Sequence, residues 1–153
     1  MKLAVIAAAA LAAALSLTAC WSATATRTAA SPTCHQQYEA WKHGVVGGGF
    51  AALRSAFTAV ASARDSQDVP KLTAALKQAG AAASQLSATP PPRCADPKGY
   101  YGQMLAKVTA AAGDAKAASG LSALIVAAAP LGAVPGIEKT LKAELDKTVG
   151  ASR

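Results

Sequence analysis

His35, Glu39 and His43 stand four residues apart, two imidazoles around a carboxylate. On one unbroken helix they would line a single face and form a ligand set competent for a divalent metal. The set matches no zinc-protease motif, no further His exists, and Gly44 follows it directly, so an ordinary polar helix surface is the competing reading. No metal is therefore assigned. Tyr38, Trp41, Tyr100 and Tyr101 make up most of the aromatic content and fall in two short stretches. Brought together, they give either a small aromatic pocket or packing for an alanine-rich core, which needs the area that rings bury. Leu121 to Ile137 carries no charge and is interrupted by Pro130 and Pro135. Exposed, its Leu124 and Ile125 would offer a docking patch; buried, they would cap the core. The stretch reads as too short and too broken to span a membrane. Nucleophilic catalysis finds no support: there is no G-x-S-x-G elbow, and Gly47-Gly48-Gly49 lacks the Lys that a phosphate-cradling loop requires. No cofactor is expected.

The N-terminus carries an address. Lys2 precedes an apolar run to Ala19, the arrangement of an export signal. Its end, Leu17-Thr18-Ala19-Cys20, resembles the bacterial lipobox. That resemblance implies a diacylglycerol thioether on Cys20, cleavage before it and a palmitate-type acyl chain on the new N-terminus. The protein would then be a lipoprotein held at the extracytoplasmic face of the cell membrane. A retained signal anchor and ordinary cleavage without lipid are the alternatives. The chain has three cysteines. If lipid consumes Cys20, Cys34 and Cys94 remain to form a disulfide, which an exported compartment permits. Their spacing fits no zinc ribbon.

The segment from Cys20 to Thr33 is rich in Ser, Thr and Ala and reads as a tether. Residues 34–153 are long enough for one domain. Alanine dominates, and alanine loses no side-chain entropy in a helix, so an all-α domain is expected. The net charge is +7, but Lys and Arg are scattered singly. That pattern favours a solvated surface over a nucleic-acid site, and no basic platform with interleaved aromatics appears. The expected partners are the membrane, through the N-terminal lipid, and an envelope protein.

Helical periodicity supplies the elements. Residues 35–43 form a turn or two, stopped or kinked at Gly44 and at Gly47-Gly48-Gly49. Phe50, Leu53, Phe57 and Val60 then share a face. Asp68 with Pro70 starts a second helix, and Pro90-Pro91-Pro92 follows its end. Asp96-Pro97 repeats the start signal for a third helix reaching Gly120. A short apolar helix runs from Leu121 to Ala129, cut by Pro130, and Pro135 opens the last. The expected fold is an antiparallel bundle of about four helices plus short segments, closed by one disulfide. Up-down-up order puts Cys34 and Cys94 at one pole and 121–134 at the other.

The stretches Cys34–Gly44 and Pro92–Tyr101 are similar to a group of small secreted or lipid-anchored proteins of high-GC actinobacteria. The resemblance extends towards Ile137-Glu138. It implies that the two cysteine-bearing segments belong to one module, and it brings no activity with it. The function expected is that of a lipid-anchored binding or interaction module, not an enzyme. The alternative is a small-ligand or metal-binding lipoprotein using His35, Glu39 and His43 or an aromatic pocket.

Overall fold

The computed structural model describes residues 31–151. The expected signal peptide 1–19, Cys20 and most of the expected tether 20–33 lie outside the described residues. The described chain is all-helical: α1 (Cys34–Asp65), α2 (Val69–Ser87), α3 (Tyr100–Ala117), α4 (Leu121–Ala128), a 3-10 turn (Ala129–Ala133) and α5 (Val134–Gly150).

Thr33 starts α1. Its hydroxyl accepts from the Gln36 amide at 3.2 Å while Gln36 Oε1 accepts from the Thr33 amide at 2.9 Å, a reciprocal cap. The glycines kink α1 without stopping it. The axis turns by 63° between Cys34–Gly44 and Gly48–Asp65, as small residues allow. Beyond the bend, Leu53, Ala56, Val60 and Ala63 form the buried face, whereas Phe50 and Phe57 are only half-buried. Asp68 caps α2 by accepting from the Lys71 amide at 3.0 Å, and its second oxygen takes Lys71 Nζ at 2.8 Å. These contacts with the Lys71 side chain and amide hold the Asp68 carboxyl below its usual range. Leu72, Leu76, Ala79, Ala83 and Leu86 then repeat at three and four residues as the core stripe of α2.

The start of α3 differs from the expectation. Pro97 is not in its first turn; the helix begins at Tyr100 behind Gly99, whose φ of 68° suits glycine. Asp96 caps from a distance instead. It is the one buried charged side chain among the described residues, and its two oxygens accept from the Tyr100 and Tyr101 amides at 2.9 Å each. Those amides have no partner within the helix, and the helix dipole favours an anion there.

The prolines of the apolar stretch sit where the expectation puts them, Pro130 just past the end of α4 and Pro135 in the first turn of α5. Pro130 sits in the 3-10 turn, and α5 follows without a gap. Taken as one run of 30 residues, Leu121–Gly150 is by length and composition long and apolar enough to cross a membrane, whereas the reading as too short and too broken concerned Leu121–Ile137 alone. It nevertheless packs on the bundle through Leu124, Val134, Leu141 and Val149, and α5 carries Glu138, Lys139, Lys142, Glu144 and Lys147.

The long helices pack α1 on α2, α2 on α3 and α3 on α5, while α1 and α5 touch only slightly; α4 and the 3-10 turn lie against α3. Small residues set the closeness. A Cβ added at Gly80 of α2 would sit 2.5 Å from Ala112 Cβ of α3. Gly80→Ala should therefore cost about 1–2 kcal/mol despite alanine's better helix propensity. Gly113→Ala, with open space around it, should instead gain up to about 1 kcal/mol. Urea midpoints of the two variants check the pair.

Candidate functional site

The disulfide joins Cys34 to Cys94 across 60 residues of sequence, with a Cα–Cα distance of 5.8 Å. It clamps the first turn of α1 to the loop before α3. The same pole is locked to the end of α5, where Thr148 Oγ1 donates to Ala95 O at 3.0 Å and Lys98 reaches Glu144 at 3.6 Å.

The two aromatic stretches meet there. Trp41 and Tyr101 lie edge to face with centroids 5.6 Å apart, Tyr38 stands 5.7 Å from Trp41, and Phe50 stands 6.0 Å from Tyr101. Trp41 Nε1 donates to Thr89 O at 2.8 Å, and the Tyr101 hydroxyl donates to Leu86 O at 2.9 Å. Tyr101 is fully buried, and burial pushes its phenol up to about 12. Burial, with the Glu39 and Asp146 carboxylates adding to it, also raises Tyr38. Tyr101 is therefore a core residue, although its edge also lines a hollow with Pro90, Pro91 and Pro97. Tyr100 lies at the rim with Lys98 Nζ 5.9 Å from its centroid.

His35, Glu39 and His43 do not converge. Among the described residues no group of three His, Cys, Asp or Glu could hold a metal ion. Positions eight apart on a helix are separated by roughly 12 Å, too far for both imidazoles to reach one ion. Glu39 instead faces Lys42 at 3.7 Å and His43 Nε2 at 3.6 Å. His35 Nδ1 is buried and makes no hydrogen bond.

At the opposite pole Leu124 is buried and cannot serve as a contact residue, while Ile125 and Val126 are 42% and 72% exposed. Only 17% of the most apolar window of 121–150 is buried. The stretch is thus a partly exposed edge of the bundle.

Two hollows with both apolar walls and charges lie along the loosely packed α1–α5 seam, which the sequence did not single out. Towards the disulfide, Tyr38, Trp41, Phe50, Leu141 and Leu145 wall a hollow of about 380 Å³. Towards the other pole, Phe57, Val60, Leu131, Val134 and Pro135 wall a second of about 370 Å³. Glu138 lines both, and Arg54 meets it across the seam at 3.9 Å. The half-burial of Phe50 and Phe57 depends on where α5 lies, which periodicity cannot reveal. Among known proteins there is no match: no family model fits the chain, and neither a curated protein nor a solved structure is significantly similar to it.

Proposed function

We propose that the protein is a lipid-anchored lipoprotein of the extracytoplasmic membrane face, carrying a non-enzymatic binding module of the actinobacterial type it resembles. The observation that supports this reading is the Cys34–Cys94 disulfide. It fits an oxidising compartment and leaves Cys20, at the end of the apolar leader, as the one cysteine outside the pair. Binding is favoured over catalysis because the hollows of the α1–α5 seam are apolar, and no nucleophile with an adjacent base lines them. Cys20→Ala is expected to abolish incorporation of labelled palmitate and to shift the protein from the membrane fraction. Persistent labelling of the variant would refute the site.

A further inference from the structure

We propose that the Cys34–Cys94 disulfide is a redox latch: exchange with an external dithiol at Cys94 frees the segment of α1 ahead of its bend, Cys34–Gly44, and uncovers Tyr101 beneath it. That segment is the part of α1 least held by its own packing. None of its residues is buried, whereas Leu53, Ala56, Val60 and Ala63 beyond the bend are. Its ion pairs, Glu39 with Lys42 and with His43, are internal. Among the described residues, its covalent, hydrogen-bond and ring ties to the other helices and their loops run through two side chains. One is Cys34; the other is Trp41, which donates to Thr89 O and lies edge to face on Tyr101.

Gly44 and Gly47-Gly48-Gly49 divide the segment from the rest of α1. Glycine propagates a helix poorly, and a helix as short as this segment is marginal in water without a partner. Once Cys34 is cut loose, the segment opens as one unit and the opening ends at the glycines, while the body of the bundle stays folded. Tyr101, buried with its ring against Trp41, is then left uncovered.

The two sulfurs are not equivalent. Cys94 is exposed and follows the exposed Arg93, whereas Cys34 is half-buried. Exposed disulfides are the ones that exchange readily, and the better leaving thiol is the one more stable as a thiolate. Cys34 is the first residue of α1, and that turn carries no acidic side chain. Unpaired amides at a helix start stabilise a thiolate, so Cys34 is the leaving group. A thiolate of the dithiol attacks Cys94 Sγ, and the pair of electrons of the broken S–S bond departs on Cys34 Sγ. The second thiolate of the dithiol then displaces Cys94 Sγ and closes a disulfide of its own. The chain gains two electrons and two protons, and the dithiol loses them. The latch rests on the disulfide and the bend, not on the lipid anchor.

The test uses the full chain carrying Cys20→Ala, so that the pair are its only cysteines, in native buffer. Glutathione, followed by alkylation and peptide mapping, reports which sulfur is attacked. The glutathione adduct is expected on Cys94 and the alkyl group on Cys34. Dithiothreitol then supplies the dithiol, and amide hydrogen exchange reports the release. In the reduced chain the amides of Cys34–Gly44 should exchange more than about tenfold faster than in the oxidised chain, and more than about tenfold faster than the buried stripes of α2 and α3. Gly44→Ala with Gly48→Ala, both positions with open space for a methyl group, should join the segment to the rest of α1. The pair should slow its exchange in the reduced chain by about fivefold. The proposal is overturned if the adduct forms mainly on Cys34, if the bond resists dithiothreitol until denaturant is added, or if the segment keeps its protection after reduction. It is equally overturned if the segment and the core stripes lose protection together, which makes the bond a staple of the whole domain, or if the alanine pair leaves the exchange unchanged.

Discussion

Replacing Cys34 and Cys94 together by alanine is expected to lower stability by about 4 kcal/mol, because cross-linking a loop of this length removes that much chain entropy from the unfolded state. The bond spans a sequence separation of 60 and encloses all of α1 and α2. The loss matters more here than in a leucine-rich bundle. Of the buried apolar side chains, Ala56, Ala63, Ala75, Ala79 and Ala83 are only a few among many alanines, and each contributes little area. Against a typical total of roughly 5–15 kcal/mol, such a loss brings the domain near its threshold. The check is a urea titration of the double variant beside the wild type with and without reductant. The variant and the reduced wild type should share a midpoint. A double variant within about 1 kcal/mol of the oxidised wild type would contradict the chain-entropy account.

Tyr101→Ala is expected to cost about 4 kcal/mol, the size of loss seen when a buried ring is truncated and its cavity does not collapse. Tyr101 touches Trp41 and Phe50 and ties to Leu86 O, so one ring joins α1, α2 and α3. Tyr101→Phe removes only the hydroxyl and should cost about 1 kcal/mol. The pH dependence separates the two effects. Burial raises the folded-state phenol to about 12, against an ordinary value near 10. The folded chain therefore keeps its proton where the unfolded chain has lost it. This contribution is complete below about pH 10, falls as pH rises from there, and is spent above about pH 12. Tyr38, also raised by burial, acts in the same direction. Tyr101→Phe should flatten the stability curve over that interval; an unchanged slope would assign the alkaline loss to other groups.

Local signals in the chain carried over well. Asp68 with Pro70 marks the start of α2 because a cap is an interaction between neighbours in sequence. The all-helical class follows from alanine, and the antiparallel order from helix length and the cysteine pair. The errors arise where distant parts decide. Asp96 does cap α3, but across the Pro97–Gly99 turn, so reading it as an adjacent cap places the helix three residues early. Of the two outcomes the glycines left open, a stop or a kink in α1, the kink is the one found, and the approach of Gly49 to Leu86 is a contact no local pattern encodes. Likewise, Leu124 and Ile125 are adjacent and equally apolar, yet one is buried and the other exposed. The hollows of the α1–α5 seam lie between the first and last helices, and no stretch of sequence contains them.

The position of the cross-link also has a mechanical meaning. Any pull delivered through the chain ahead of Ser31 enters the fold at Thr33 and Cys34. Without the bond, such a load would peel α1 from its first turn, breaking its hydrogen bonds one at a time up to the bend. With Cys34 joined to Cys94, the load passes at once into the loop before α3 and, through Thr148 and Glu144, to the end of α5. The bundle is then sheared as a whole, with several helices resisting in parallel, instead of being unzipped from one end.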